Sequence, residues 1–230
     1  MKTIGLLGGM SWESTVDYYR AINLGVKASL GGLHSAKIVL YSVDFESVEK
    51  LQSSGNWDEA ARLLTDAAIN IQAAGADFML ICTNTMHKVA AQIEAGIDIP
   101  LLHIADATAQ ALELAGIKTV GLLGTAFTME HDFYKGRLTE QFGVNVLTPN
   151  QGDIKIVHDI IYDELCQGKL AANSKVEYLR IVASLSSQGA EAVILGCTEI
   201  GMLIKQKDTP VLLFDTTEIH AQRAVDYALS

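Results

Sequence analysis

Short aliphatic runs alternate along the chain with longer stretches in which apolar residues recur every three or four positions. The runs Thr3–Leu7, Lys37–Val43, Phe78–Cys82, Thr119–Leu123, Val144–Leu147, Ala192–Leu195 and Val211–Phe214 predict strands. The stretches Ser11–Leu30, Asp58–Ala74, Ile104–Ala115, Thr128–Phe142, Asp153–Gln167, Ser174–Gln188 and Thr216–Leu229 predict helices. The strand runs are aliphatic throughout rather than alternating with polar residues, so both their faces are buried. That is the pattern of a parallel sheet covered by helices, an α/β fold made of repeated βαβ units.

The order repeats itself. "IGLLGG" from Ile4 pairs with "VGLLGT" from Val120, 116 positions on, and "ADFMLICTNTM" from Ala76 pairs with "AEAVILGCTEI" from Ala190, 114 positions on. A looser match sets Pro100 before "LLHIAD" against Pro210 before "VLLFDTT". The expectation is two pseudo-equivalent lobes, each a parallel sheet flanked by helices, with the active site in the cleft between them. Residues 1–99 plus 210–230 form the first lobe and residues 100–209 the second, the last helix completing the first.

Composition narrows the function. In 230 residues, 49% are apolar, 19% are charged, 19 are glycine and three are proline, which is the balance of a soluble α/β protein. The net charge of −10 and the lack of clustered Lys and Arg exclude nucleic acid as a partner. No apolar run reaches the roughly 18 residues of a membrane span. "MKTIGLLGGM" is followed at once by Trp12, Glu13 and Asp17, and so reads as a buried strand rather than a leader. Three cysteines, Cys82, Cys166 and Cys197, lack C-x-x-C spacing. They predict no metal site and reduced thiols in a cytoplasmic protein.

Four motifs fall at strand carboxyl ends, where open parallel sheets bind ligands: "GGMS" at Gly8–Ser11, "TNT" at Thr83–Thr85, "GTAFT" at Gly124–Thr128 and "CTE" at Cys197–Glu199. All carry small or hydroxylic side chains suited to holding a carboxylate. "GLLGGM" has G-x-x-G-G spacing instead of G-x-G-x-x-G, which argues against a dinucleotide even with Asp44 in place for a ribose. "GCTEI" is not the G-x-S-x-G elbow of serine hydrolases. Cys197 precedes Thr198, an expected N-cap, so a helix N-terminus is expected to lower its thiol below the free value of about 8.5. Cys82 points away from Thr83 and into the core, and Cys166, inside an amphipathic helix, is assigned no role.

"TNTMH" at Thr83–His87, "GCTEI" at Gly196–Ile200 and "GLLGGM" at Gly5–Met10 resemble the aspartate/glutamate racemase family across nearly the whole chain. The resemblance implies a cofactor-independent isomerase, often a homodimer, that inverts an amino acid with one cysteine per lobe on either side of Cα. Cys197 matches the second cysteine, but Thr83 stands where the family has the first. Asn84, Thr85, Met10, Thr125, Thr128, Thr198 and Glu199 match or adjoin substrate-binding positions. Lys50 and Lys169 are offered for the side-chain carboxylate and His87 as a secondary acid/base candidate, more readily a packing residue. A thiol has a few per cent thiolate at neutral pH whereas an alcohol has none, so the pair is expected to be lopsided, with Cys197 acting on L-aspartate or L-glutamate. Two other readings stay open: an arylmalonate-type decarboxylase using Cys197 alone, and a non-catalytic binder of acidic amino acids.

Overall fold

The computed structural model describes the whole chain, Met1–Ser230, which divides into two compact units. The first comprises Met1–Ile104 with His220–Ser230, the second Ala105–Ile219. In the first unit the chain forms β1 (Ile4–Gly8), α1 (Trp12–Leu30), β2 (Ile38–Ser42), α2 (Phe45–Ser53), α3 (Trp57–Ala73), β3 (Phe78–Ile81) and α4 (Ala90–Ala95). The second begins with α5 (Ile104–Leu114), β4 (Thr119–Gly124), α6 (Ala126–Glu130), α7 (Asp132–Phe142), β5 (Asn145–Leu147) and α8 (Gln151–Asp163). It continues through α9 (Ala172–Ser187), β6 (Ala192–Gly196), α10 (Ile200–Leu203) and β7 (Leu212–Asp215), and α11 (Thr216–Leu229) begins in it but belongs to the first unit from His220 onward. No helix is long and apolar enough to cross a membrane.

Both sheets are parallel, in the orders β2-β1-β3 and β5-β4-β6-β7. The exchange points differ from the expected ones for a visible reason. Leu101 bridges to Met79 in parallel register, so the chain stays with the first sheet past Pro100. After Pro210, β7 pairs with β6, so the last strand belongs to the second unit and not the first. Leu101 beside β3 and β7 beside β6 are thus corresponding features of the two halves, as the loose proline match implied.

Alternation along each buried strand sends side chains to two cores. Ile4, Leu6, Phe78 and Leu80 pack with Tyr18, Ile22 and Val26 of α1 and with Ala221, Ala224, Val225 and Ala228 of α11. Leu7, Met79 and Ile81 pack with Leu64, Ala68 and Ile71 of α3. Burying each such aliphatic side chain contributes about 1.5–3 kcal/mol. The repeated "GLLG" has a packing cause. A Cβ on Gly5 would stand 2.4 Å from Ile71 Cγ2, and one on its counterpart Gly121 would stand 2.8 Å from Leu185 Cδ1. Each glycine lets one helix, α3 or α9, lie directly on its central strand.

Three helical assignments change. The stretch Thr128–Phe142 is two helices, because His131 is extended (φ −86°, ψ 155°), closing α6 and opening α7. The expected helix Asp153–Gln167 ends at Asp163, leaving Cys166 in a tight turn, Leu165–Gln167. The chain also forms the short helices α2 and α4, and the helix expected after Thr198 is only the four-residue α10.

Candidate functional site

In the second unit, β4 and β6 end on paired glycines, Gly124 and Gly196. A Cβ on Gly124 would lie 2.7 Å from the Gly196 carbonyl oxygen, and one on Gly196 would lie 2.7 Å from the Leu123 carbonyl oxygen. Only glycine allows this approach, and the residues that follow, Thr125 and Cys197, leave neighbouring strand ends. Thr125 caps α6: its Oγ1 accepts the Thr128 N–H at 3.3 Å and lies 3.2 Å from Thr128 Oγ1. His158 of α8 joins this loop by accepting the Ala126 N–H at its Nδ1, 3.1 Å away.

The Cys197 loop closes on a carboxylate. Cys197 Sγ donates to Glu199 Oε2 at 2.8 Å, and Thr198 Oγ1 donates to the same oxygen at 2.8 Å. Burial, and then the negative charge of Glu199, hold the Cys197 thiol well above its ordinary value. This reverses the expected lowering by a helix N-terminus. The helix that follows has only four residues, Glu199 rather than Thr198 occupies its N-cap, and the thiol faces an anion instead of free amides.

In the first unit, β3 stops at Ile81 and the chain turns through Cys82 to Asn84 into a tight turn at Thr85–Val89. Cys82 is wholly buried in the apolar core, and that burial pushes its thiol far up. Thr83 is 9% exposed against 1% for Asn84 and 4% for Thr85. Cys197, at 8%, likewise exceeds Thr198 at 3% and Glu199 at 2%. In each loop, then, the residue at the expected acid/base position is buried but less deeply so than the two that follow it. No three His, Cys, Asp or Glu side chains converge in a way that could hold a metal ion.

The family model for Asp/Glu/hydantoin racemases matches residues 7–224. The chain belongs to this family. It is 56% identical, at a TM-score of 0.92 and with 100% of both chains covered, to a Yersinia pestis structure provisionally described as an Asp/Glu racemase. An aspartate racemase homologue from Pyrococcus horikoshii OT3 is 34% identical, with a TM-score of 0.84 and 100% of both chains covered. The broad-specificity amino-acid racemase RacX of Bacillus subtilis is 22% identical over 99% of this chain and 98% of its own length.

As a member of the Asp/Glu/hydantoin racemase family, the chain gathers its candidate residues in two sets. Thr83, Asn84, Thr85 and His87 share one loop of the first unit, and Thr125, Thr128, Cys197, Thr198 and Glu199 share the strand ends of the second. Three candidates stand apart. Met10 is buried in the apolar cluster with Leu7 and Met86. Lys50 is exposed and ion-paired with Glu46 at 2.8 Å, and Lys169 is exposed and donates to Gln167 Oε1 at 2.7 Å. Neither lysine is buried beside a hydroxyl of the two sets. Sequence reasoning missed His158, His103 and His220. Their contacts come from α8, from the segment after Pro100 and from α11, and no local spacing announces them.

Proposed function

We propose that the chain is an amino acid racemase for aspartate or glutamate in which Cys197 takes the α-proton of the L-enantiomer and Thr83 delivers a proton to the opposite face. The observation that carries this reading is the 2.8 Å hydrogen bond from the Cys197 thiol to Glu199. A thiol held protonated is no base by itself, but one that hands its proton to an adjacent carboxylate becomes a thiolate at the moment it is needed. The protons balance as follows. Glu199 takes the thiol proton, the thiolate takes the proton from Cα, and the carbanion takes the Thr83 hydroxyl proton, which water replaces. Glu199 returns its proton to solvent. No step calls on a cofactor. Thr83 cannot begin the reverse reaction as a thiolate would, so the D-enantiomer is the poor substrate, within the limit that both directions agree with an equilibrium constant of one.

The test is incubation with L-glutamate and L-aspartate in deuterated water, following Cα exchange by NMR beside formation of the D-enantiomer. Cys197→Ser should lose exchange by about 10²-fold or more, the scale of a positioned acid/base group. Exchange retained by that variant would sink the reading.

We also infer a homodimer built on the first unit. Trp12, Val16 and Tyr19 form one stripe of α1, exposed at 64%, 52% and 53%, and Leu33, Leu40 and Tyr41, before and on β2, are exposed as well. Patches of this kind mark association sites. Trp12→Glu with Tyr19→Glu should halve the mass seen by sedimentation; an unchanged mass would remove this face from the interface. A thiol that must stay reduced to act suits a cytoplasmic protein.

A further inference from the structure

Behind Thr83 the first unit buries three imidazoles and a phenol: His87, His103, His220 and Tyr18. The hydrogen bonds fix the tautomers of two of them. His87 Nδ1 lies 2.8 Å from the Thr83 carbonyl oxygen, which can only accept, so Nδ1 carries the proton. The Ile104 backbone N–H, which can only donate, points at His87 Nε2 from 3.2 Å, so Nε2 is bare. His220 is locked in the opposite sense. Its Nε2 donates to the Leu102 carbonyl at 2.8 Å, which leaves Nδ1 to accept from the Tyr18 hydroxyl at 2.9 Å. His103 packs edge-on against His87 with ring centroids 4.5 Å apart, and His220 stands 6.0 Å from His87.

This arrangement removes His87 as an acid/base. A second proton on Nε2 would face the Ile104 N–H, and burial and then the two neighbouring imidazoles already push His87 well below its ordinary value. What remains is mechanical. The hydrogen bond falls on the carbonyl of Thr83 itself, the residue whose hydroxyl has to stand where the proton is delivered. Residues 102–104, which the same cluster grips, are where the chain leaves the first unit, and His220 is where it returns.

We propose that His87 is a positioning residue for Thr83, a neutral imidazole that ties the Thr83 carbonyl to the Ile104 amide and so sets where the Thr83 hydroxyl stands. The proposal rests on the racemase reading above. Its signature is a ratio. Exchange of the α-hydrogen needs Cys197 with Glu199 but not Thr83, because the carbanion can be reprotonated from the face it left, whereas inversion needs Thr83 as well. A loosened Thr83 therefore raises exchange relative to inversion, while a general loss of folded protein lowers both together.

The experiment measures both rates on L-glutamate in deuterated water for His87→Leu, His87→Asn, His87→Gln, Thr83→Ala and Cys197→Ser, with melting temperatures alongside. His87→Leu should raise the exchange-to-inversion ratio about tenfold, in the direction of Thr83→Ala, as expected for loss of one buried hydrogen bond. His87→Asn, whose amide N–H reaches the place of Nδ1, should bring the ratio back to within about threefold of the parent. His87→Gln, which reaches the place of Nε2, should not. If His87→Leu does not fold, the Asn and Gln variants decide the matter between them. An unchanged ratio in the folded variants, or equal ratios for Asn and Gln, would overturn the positioning role. Exchange that survives Cys197→Ser would instead overturn the racemase reading, so the two failures are distinguishable.

Discussion

Glu199→Gln tests the carboxylate's part in the chemistry. The substitution keeps the shape of the side chain, and its amide oxygen can still accept the Thr198 hydroxyl that Glu199 Oε2 now accepts at 2.8 Å, so the loop should hold its form. What it removes is the proton acceptor 2.8 Å from the Cys197 thiol. A positioned acid/base group is worth about 10²- to 10⁴-fold, and that is the fall expected in Cα exchange at neutral pH, with little change in melting temperature. The pH profile gives the sign. Burial and the Glu199 charge both raise the thiol, so removing the charge moves the thiol down, toward easier ionisation by solvent. In the parent the proton passes inside the pair, so the rate does not have to wait on solvent to take the thiol proton. In the variant the rate should follow the thiol's own ionisation and climb roughly tenfold per pH unit below its pKa. Exchange rates in deuterated buffers across the pH range, on protein checked by circular dichroism, read both effects. A variant as fast as the parent at neutral pH, or faster, would show that Glu199 only restrains the thiol, and the proton-transfer scheme would fall.

Other outcomes follow from the same geometry. Gly196→Ala drives a Cβ to 2.7 Å from the Leu123 carbonyl oxygen, and should cost about 1–3 kcal/mol. Calorimetry should show this as a fall of about 2–12 °C in Tm, and no fall would mean that β4 and β6 part freely at their ends. Gly136→Ala lies inside α7, where the new Cβ would meet Asp132 Cβ at 3.3 Å, a contact that a small shift of the helix's first residue relieves. It should stabilise by about 0.5–1 kcal/mol, and destabilisation would show that this helix end is rigid. Arg180, hydrogen-bonded to Asp153, holds that carboxyl below the usual carboxylate range. The folded value is the lower one, so its stabilisation is present above about pH 4 and is lost as pH falls through the folded value. Melting curves against pH should show a shallower acid decline for Asp153→Asn, and parallel declines would remove the pair from the account. Thr83→Cys should speed the D-to-L direction in a polarimetric assay, and no gain there would count against Thr83 as the second acid/base position.

Much of the frame was visible in the chain itself because aliphatic runs and glycines have short-range causes. The "GLLG" repeat marks Gly5 and Gly121, where helices lie on central strands, and the two long matched stretches mark Thr83 and Cys197 at corresponding strand ends. What escaped was set by contacts distant in sequence or by one side chain folding back on its neighbour. His220 reaches a carbonyl 118 positions away, at Leu102, and no local pattern encodes that. Glu199 turns toward Cys197 two residues before it, which inverts the effect expected from a helix start. The break at His131 is invisible to a helical periodicity that continues on both sides of it. The fate of β7 was misjudged because proline marked the crossing, although the pairing of Leu212–Asp215 with β6 decides it.

The first unit joins residues 1–104 to residues 220–230 across the whole of the second unit, and this orders its assembly during synthesis. While residues 220–230 are still unmade, the face formed by Ile4, Leu6, Phe78 and Leu80 lacks Ala221, Ala224, Val225 and Ala228, and Gly25 has no Val225 to rest against. The second unit, contiguous from Ala105 to Ile219, needs no segment made after it to close its own core. The unit that holds Cys197 thus has all of its residues before the unit that holds Thr83 does, although Thr83 is translated first.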